Sequence, residues 1–301
     1  MSVPESKPSR RGVWTLVFVF GAMFLMFFLF SATMLVAMSD GLDFSEANIG
    51  VVEVNGPIME SKDTVARLRG LAKNEKIRGI VVRVDSPGGA VAPSQEMYQA
   101  LKHAAKSKPV AVSMGSTAAS GGYYISLGAT RIFANSGSVT GSIGVITQLF
   151  NVSRLVEKVD VDINTLKTGQ YKDSGSPFRE FEEADEAYFR QLIDDIYDQF
   201  VADVAEARAL DPSEVKKVAD GRVFTGRQAK DLKLVDELGT FQDAVDWVAS
   251  EAKIKGDPKL GYPPKKTSFL SELLKDGVRG AVSEAKIQST PVIEYRYVGP
   301  R

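Results

Sequence analysis

The sequence predicts an α/β fold of repeated βαβ units, preceded by one transmembrane helix. Three observations predict it: an uncharged stretch of 26 residues near the N-terminus, β-branched runs alternating with helical patterns after it, and glycine-bearing turns at the ends of two of those runs. With 301 residues, 44% hydrophobic and 25% charged, the chain can bury a full core and holds one or two domains.

Residues 13–38, VWTLVFVFGAMFLMFFLFSATMLVAM, carry no charged side chain and are long enough to span a hydrocarbon layer of roughly 30 Å. A cleaved signal peptide is the rival reading, but its apolar region runs only about 7 to 15 residues, and Ala37-Met38-Ser39 is a weak cleavage pattern. Lys7, Arg10 and Arg11 precede the span, whereas Asp40, Asp43 and Glu46 follow it. The positive-inside bias therefore keeps residues 1–12 as a cytoplasmic tail and exports everything after the span. The expected location is the cell membrane, single-pass, with the soluble part facing outward.

After the anchor, residues 39–252 read as the folded domain. Ile49 to Val54 is a first strand, and Asp63 to Ala72 a helix with Val65, Leu68 and Ala72 on one face. Ile80 to Val84 is a second strand, Pro93 to Ala105 a helix, Val110 to Ser113 a third strand and Ser120 to Leu127 a helix. Arg131 to Ala134 reads as a strand, Ser153 to Lys158 as a helix and Asp162 to Lys167 as a further strand. A long helix covers Glu182 to Ala209. Asp211-Pro212-Ser213-Glu214 and Thr225-Gly226-Arg227-Gln228 each open a short helix with a good cap, and Phe241 to Ala252 closes the domain. Residues 253–301 form a C-terminal extension: Pro263-Pro264-Lys265-Lys266, an amphipathic stretch near Phe269 to Leu274, and a strand-like run from Pro291 to Val298. The extension is expected to assist assembly or to occlude a site.

Composition narrows the chemistry. There is no cysteine and a single histidine, which removes disulfides and most zinc, iron–sulfur and haem schemes; no metal and no cofactor is expected. The net charge is −1 and the basic residues are scattered, so nucleic acid is not an expected partner.

Two turns offer chemistry instead. Asp85-Ser86-Pro87-Gly88-Gly89 follows the second strand, and its glycines let backbone N–H groups face a reacting carbonyl, although a plain tight turn would look the same. Ser120 lies in Met114-Gly115-Ser116-Thr117-Ala118-Ala119-Ser120-Gly121-Gly122-Tyr123-Tyr124, at a helix N-terminus flanked by small residues that leave its hydroxyl approachable. Helix capping is the bland alternative. The order Asp85, His103, Ser120 formally resembles a protease triad, but His103 shares a helix face with Glu96, Gln99 and Lys106, opposite the apolar Met97, Leu101 and Ala104, and so points to solvent. A nucleophilic Ser120 then needs a different base. A desolvated lysine is the known substitute for histidine, and lowering its pKa from about 10.4 toward 7 takes roughly 4 to 5 kcal/mol of burial. Lys167 and Lys172 both lie in the right region, and residue physics alone leaves them level.

The runs Ser86-Pro87-Gly88-Gly89, Met114 to Ser126, Thr140-Gly141-Ser142-Ile143-Gly144-Val145-Ile146, Tyr171-Lys172-Asp173, Asp220 to Ala229 and Leu234 to Gly239 resemble the signal peptide peptidase A family. That is peptidase family S49 of the crotonase/ClpP superfamily, here in its short single-repeat form, and the resemblance covers residues 13 to about 250. It implies a crotonase/ClpP-like fold and a serine endopeptidase with a Ser/Lys dyad that degrades cleaved signal peptides and other hydrophobic peptides. Position by position, it implies Ser120 as nucleophile, Lys172 as general base, Ser142 as the hydroxyl that orients the lysine, and the N–H groups of Gly89 and Gly121 as oxyanion hole. It further implies a homo-oligomeric ring or dome, such as an octamer, in which Lys172 can serve the Ser120 of a neighbouring copy. Two other readings keep the fold: a noncatalytic membrane scaffold that binds peptides, and a crotonase-like acyl-CoA enzyme, which would have no need of a serine/lysine pair.

Overall fold

The computed structural model describes residues 18–31, 46–263 and 293–297. The chain divides into two units, Met1–Asp43 and Phe44–Arg301. In the first, residues 18–31 form helix α1, whose apolar side chains, Phe18 and Phe24 among them, are exposed. Among the described residues no helix is long and apolar enough to cross a membrane. The 1–12 tail and the rest of the 13–38 segment lie outside the described residues.

The second unit is built on one sheet. Its strands are β1 (Ile49–Asn55), β2 (Gly79–Ser86), β4 (Val110–Ala119), β5 (Arg131–Ala134), β6 (Val139–Gly141), β7 (Val223–Thr225), β8 (Glu237–Leu238) and β9 (Leu260–Gly261). The path runs β7-β6-β4-β2-β1-β9, while β5 pairs with both β4 and β8. Every pairing in this sheet is parallel except β6 with β7. A parallel sheet needs both faces covered. Val82, Val84, Val112 and Met114 face one core, which packs on α2 (Lys62–Lys73), α3 (Val91–Ala105), α4 (Gly121–Ser126) and α6 (Glu183–Arg208). The alternate residues Val81 and Ala111 face a second core closed by Ala244, Val245 and Val248 of α9 (Phe241–Glu251).

β4 is the organising strand. Its first half, Ala111 to Met114, pairs with β5, and its second half, Thr117 to Ala119, pairs with β6. The long helix α6 carries a capping box between Glu182 and Asp185 and ends on Ala209 in the left-handed region. Between β6 and α6 lie the short helix α5 (Ser153–Lys158) and a 3-10 turn, Gln170–Asp173. The remaining short helices, α7 (Pro212–Lys216) and α8 (Gly226–Asp231), are capped by Asp211 and Thr225, as their sequences predict. His103 is exposed on α3, also as expected.

One expected strand is absent. Asp162 to Lys167 has no regular structure, and Ile163 and Leu166 are exposed. Its alternation suits a strand, but no described strand pairs with it, so its row of backbone groups has no ladder to join. Two strands lie in the predicted C-terminal extension: β9 continues the main sheet beside β1, and β10 (Glu294–Arg296) pairs with β3 (Gly88–Ala90) to form a separate two-stranded sheet.

Candidate active site

Ser120 stands where β4 ends and α4 begins, with φ 53° and ψ −115°. A non-glycine residue there is strained by about 1–3 kcal/mol, a conformation that persists only when its surroundings impose it. Here they do. The Ser120 amide donates to the Gly141 carbonyl at 2.8 Å, extending the β4–β6 ladder, and its own carbonyl accepts from the Tyr124 amide at 2.8 Å, starting the helix. The result is a sharp strand-to-helix elbow with Ser120 only 1% exposed.

Ser142 follows the carbonyl that holds Ser120. It too has a positive φ, 50°, is buried, and donates its amide to the Arg222 carbonyl at 2.8 Å. Two strained serines are thus held by adjacent backbone ties, Ser120 by the Gly141 carbonyl and Ser142, the residue after Gly141, by the Arg222 carbonyl.

The glycine turn after β2 closes over the same place. Gly88 has φ +95°, and a Cβ on it would lie 2.6 Å from the Gly121 amide nitrogen. A Cβ on Gly121 would lie 2.6 Å from Ser94 Oγ, and one on Gly89 only 2.1 Å from the Ile58 carbonyl oxygen. None of the three positions has room for a side chain, so backbone amides can line this side of the elbow. The structure thus brings Ser120, Gly121, Ser142 and the Gly88-Gly89 turn together.

Residue-level reading missed what lies on that turn. β10 runs antiparallel to β3, with Tyr295 opposite Gly89 and Arg296 opposite Gly88. Glu294 exchanges backbone hydrogen bonds with Ile146 on its other side, at 2.9 and 3.0 Å, and the Tyr297 amide donates to the Pro87 carbonyl at 2.7 Å. The Tyr295 carbonyl oxygen is 2.0 Å from the Cβ position of Gly88 and 3.1 Å from that of Gly121. The Tyr295 ring is fully buried, stacked on Tyr124 at 5.1 Å and tilted against Phe200 at 4.7 Å, and its hydroxyl donates to the Ile196 carbonyl at 3.2 Å. The Pro291 to Val298 run is legible as strand-like, but its partner is not, because the pairing joins residues roughly 200 positions apart.

The two lysines part company in the structure. Lys167 Nζ is ion-paired with Asp173 Oδ1 at 2.7 Å, and this hydrogen bond, with help from Arg179, holds the Asp173 carboxyl below the usual aspartate range. Lys172, in the 3-10 turn, is exposed, and among the described residues no hydrogen bond joins it to Ser120. Among the described residues, no group of three or more His, Asp or Glu side chains is arranged to hold a metal ion.

Comparison with known proteins places this architecture in a family. The family model described as Peptidase family S49 matches residues 102–255, and that described as Clp protease matches residues 50–138. A Synechocystis sp. protein with a provisional protease name is 45% identical over 210 residues, covering 69% of this chain and 76% of its own length. Serine protease SPPA of Arabidopsis thaliana, a chloroplastic protein, is 31% identical over 212 residues, 70% of this chain and 31% of that one. Protease 4 of Salmonella typhi is 35% identical over 244 residues, 78% of this chain and 39% of that one, so this chain spans well under half of those two relatives. Among solved structures, a ClpP1 mutant from Listeria monocytogenes superposes with a TM-score of 0.44 at 18% identity, covering 65% of this chain and 94% of that one. With a family model matched over half its length and a relative 45% identical over most of that relative, the chain belongs to peptidase family S49.

Proposed function

We propose that this protein is a membrane-anchored serine endopeptidase in which Ser120 attacks and Lys172 is the base. The observation that carries the reading is the strained, buried elbow at Ser120 facing a side-chain-free turn, with a peptide strand laid across that turn. β10 supports an extended peptide as the kind of substrate accepted, because main-chain pairing along β3 takes any sequence and leaves selection to side-chain pockets. Hydrophobic peptides, remnants of cleaved signal peptides among them, suit the buried aromatic surroundings of Tyr295 and a site held near a membrane. The uncharged 13–38 segment supports the anchor and the outward-facing domain.

In the proposed reaction neutral Lys172 takes the Ser120 hydroxyl proton as Oγ attacks the peptide carbonyl. The N–H groups of Gly89 and Gly121 stabilise the oxyanion. The amine leaves with the proton returned from Lys172, and water then releases the acyl group by the same route in reverse. In this reading Ser142, one residue beyond the carbonyl that holds Ser120, orients the lysine. Lys172 is exposed here, whereas a lysine base must be desolvated, so the dyad is completed when Lys172 of one copy meets Ser120 of the next. Exposed Phe150, Leu155, Val159, Val161, Ile163 and Leu166, on the segment leading to Lys172, supply an apolar face for that homo-oligomeric ring or dome. The extension, through β10, occupies the strand position that substrate takes.

The test is covalent labelling of detergent-solubilised, full-length protein by a serine-reactive phosphonate. Labelling at Ser120 that is lost in Lys172→Ala supports the dyad. Absence of labelling sinks the peptidase reading and favours a peptide-binding scaffold, and turnover of acyl-CoA would favour the crotonase-like alternative.

A further inference from the structure

The segment around Lys172 is exposed, yet its neighbours are tied down. Tyr171 stacks on Tyr188 of α6, with ring centroids 5.1 Å apart and planes 18° from parallel. Asp173 contacts Arg179 at 3.2 and 3.3 Å, and Arg179 forms a two-point pair with Asp185 in the first turn of α6, at 2.5 and 2.8 Å. Ser174 Oγ donates to the same Asp185 at 2.7 Å, and the Glu182 amide donates to Asp185 at 3.1 Å. Asp185 is 3% exposed, a buried carboxylate fully engaged by its neighbours. The Lys172 stem lies over Gly169, its Cγ 3.4 Å from where a Cβ would be. Residues on both sides of Lys172 are thus fixed to one long helix, while among the described residues no such tie holds the ammonium group itself.

Such an arrangement matters for a lysine more than for most side chains. A flexible four-carbon stem carries much rotamer entropy, and a misplacement of about 1 Å at a reacting group can cost 100-fold in rate. The mount is also electrically balanced: Lys167 and Arg179 offset Asp173 and Asp185. Asp173, the carboxylate next to Lys172 in sequence, is thereby occupied by two other cations.

We infer that Tyr188, Arg179 and Asp185 are positioning residues for the acyl transfer, a mount on α6 that presents the Lys172 amine in a fixed direction to the serine of another copy. The inference rests on the Ser120–Lys172 reading above. Its test is the rate constant for Ser120 acylation by a small activated ester, measured beside KM for a peptide substrate, oligomer size and melting temperature. Tyr188→Ala is expected to slow acylation roughly 10- to 100-fold while KM, oligomer size and melting are retained, and Tyr188→Phe, which keeps the stack, to recover the rate. Asp185→Asn should slow acylation in the same way, and Tyr188 keeps the test independent of any folding defect in that variant. Acylation of Tyr188→Ala at the wild-type rate, or a loss that follows only loss of oligomer, overturns the inference. Lys172→Ala separates the two levels. If it abolishes labelling while Tyr188→Ala does not, only the mount is wrong; if it labels normally, or wild type is never labelled, the underlying dyad fails and the mount with it.

Discussion

Lys167 and Asp173 form an ion pair at 2.7 Å, and that pair separates two lysines that residue physics alone leaves level. The Lys167 amine already donates to the Asp173 carboxylate and to the Gln170 carbonyl, so its contacts are committed away from a serine. Lys172→Ala is therefore expected to lower peptide hydrolysis by roughly 100- to 10,000-fold, the usual range for a general base. Lys167→Ala removes a solvent-screened pair of little weight, and activity should stay within about fivefold of wild type. Steady-state kinetics on the two variants decide it.

Gly88 is the tightest point of the site. An alanine there would put its Cβ 2.0 Å from the Tyr295 carbonyl oxygen, at φ +95°. Strain of about 1–3 kcal/mol is expected, together with displacement of the β10 strand. Gly88→Ala should lower the melting temperature and increase amide hydrogen exchange at Tyr295 and Tyr297. Unchanged exchange there would mean that β10 does not lie on this turn.

If β10 fills the substrate strand position, removing it should open the site. Deleting residues 287–301 is expected to raise kcat/KM for added peptide by several-fold or more, through KM, since an internal strand competes at high effective concentration. The contrary outcome is unchanged size and unchanged activity.

Asp185 gives a pH signature. The paired Arg179 guanidinium, followed by the Ser174 hydroxyl and the Glu182 amide, holds its carboxyl well below the usual aspartate range. Because the folded pKa is depressed, its stabilisation is complete above the unfolded value of about 3.9 and is lost as pH falls below it toward the folded pKa. Asp185→Asn should destabilise the protein by roughly 2–4 kcal/mol at pH 7, the partial exposure of Arg179 placing it at the lower side of buried pairs. That difference should shrink steadily below about pH 4. Thermal melts of both proteins from strongly acid to neutral pH check it.

Much of this is readable in the chain. The βαβ order of the sheet follows from β-branched runs such as Ile80 to Val84, and α6 is bounded nearly to the residue by its caps. Ser120 is marked by its small neighbours and its place after an apolar run. What escapes has physical causes. β3 and β6 are three residues each, too short to show a period, and β10, though strand-like in sequence, pairs with a partner far away along the chain. The Asp162 to Lys167 run has the pattern of a strand without a ladder to join. The mount under Lys172 escapes because Arg179, Asp185 and Tyr188 look like ordinary surface residues of a helix start until their contacts are known.

The central claim, a Ser120–Lys172 dyad shared between copies, is tested most directly by complementation. Ser120→Ala and Lys172→Ala chains, each inactive alone, are co-assembled in equal amounts and assayed on a peptide substrate. Recovery of roughly a quarter of wild-type activity is predicted, since about one in four neighbouring pairs in a random ring joins an intact serine to an intact lysine. Mixed oligomers that form yet stay inactive would contradict the account.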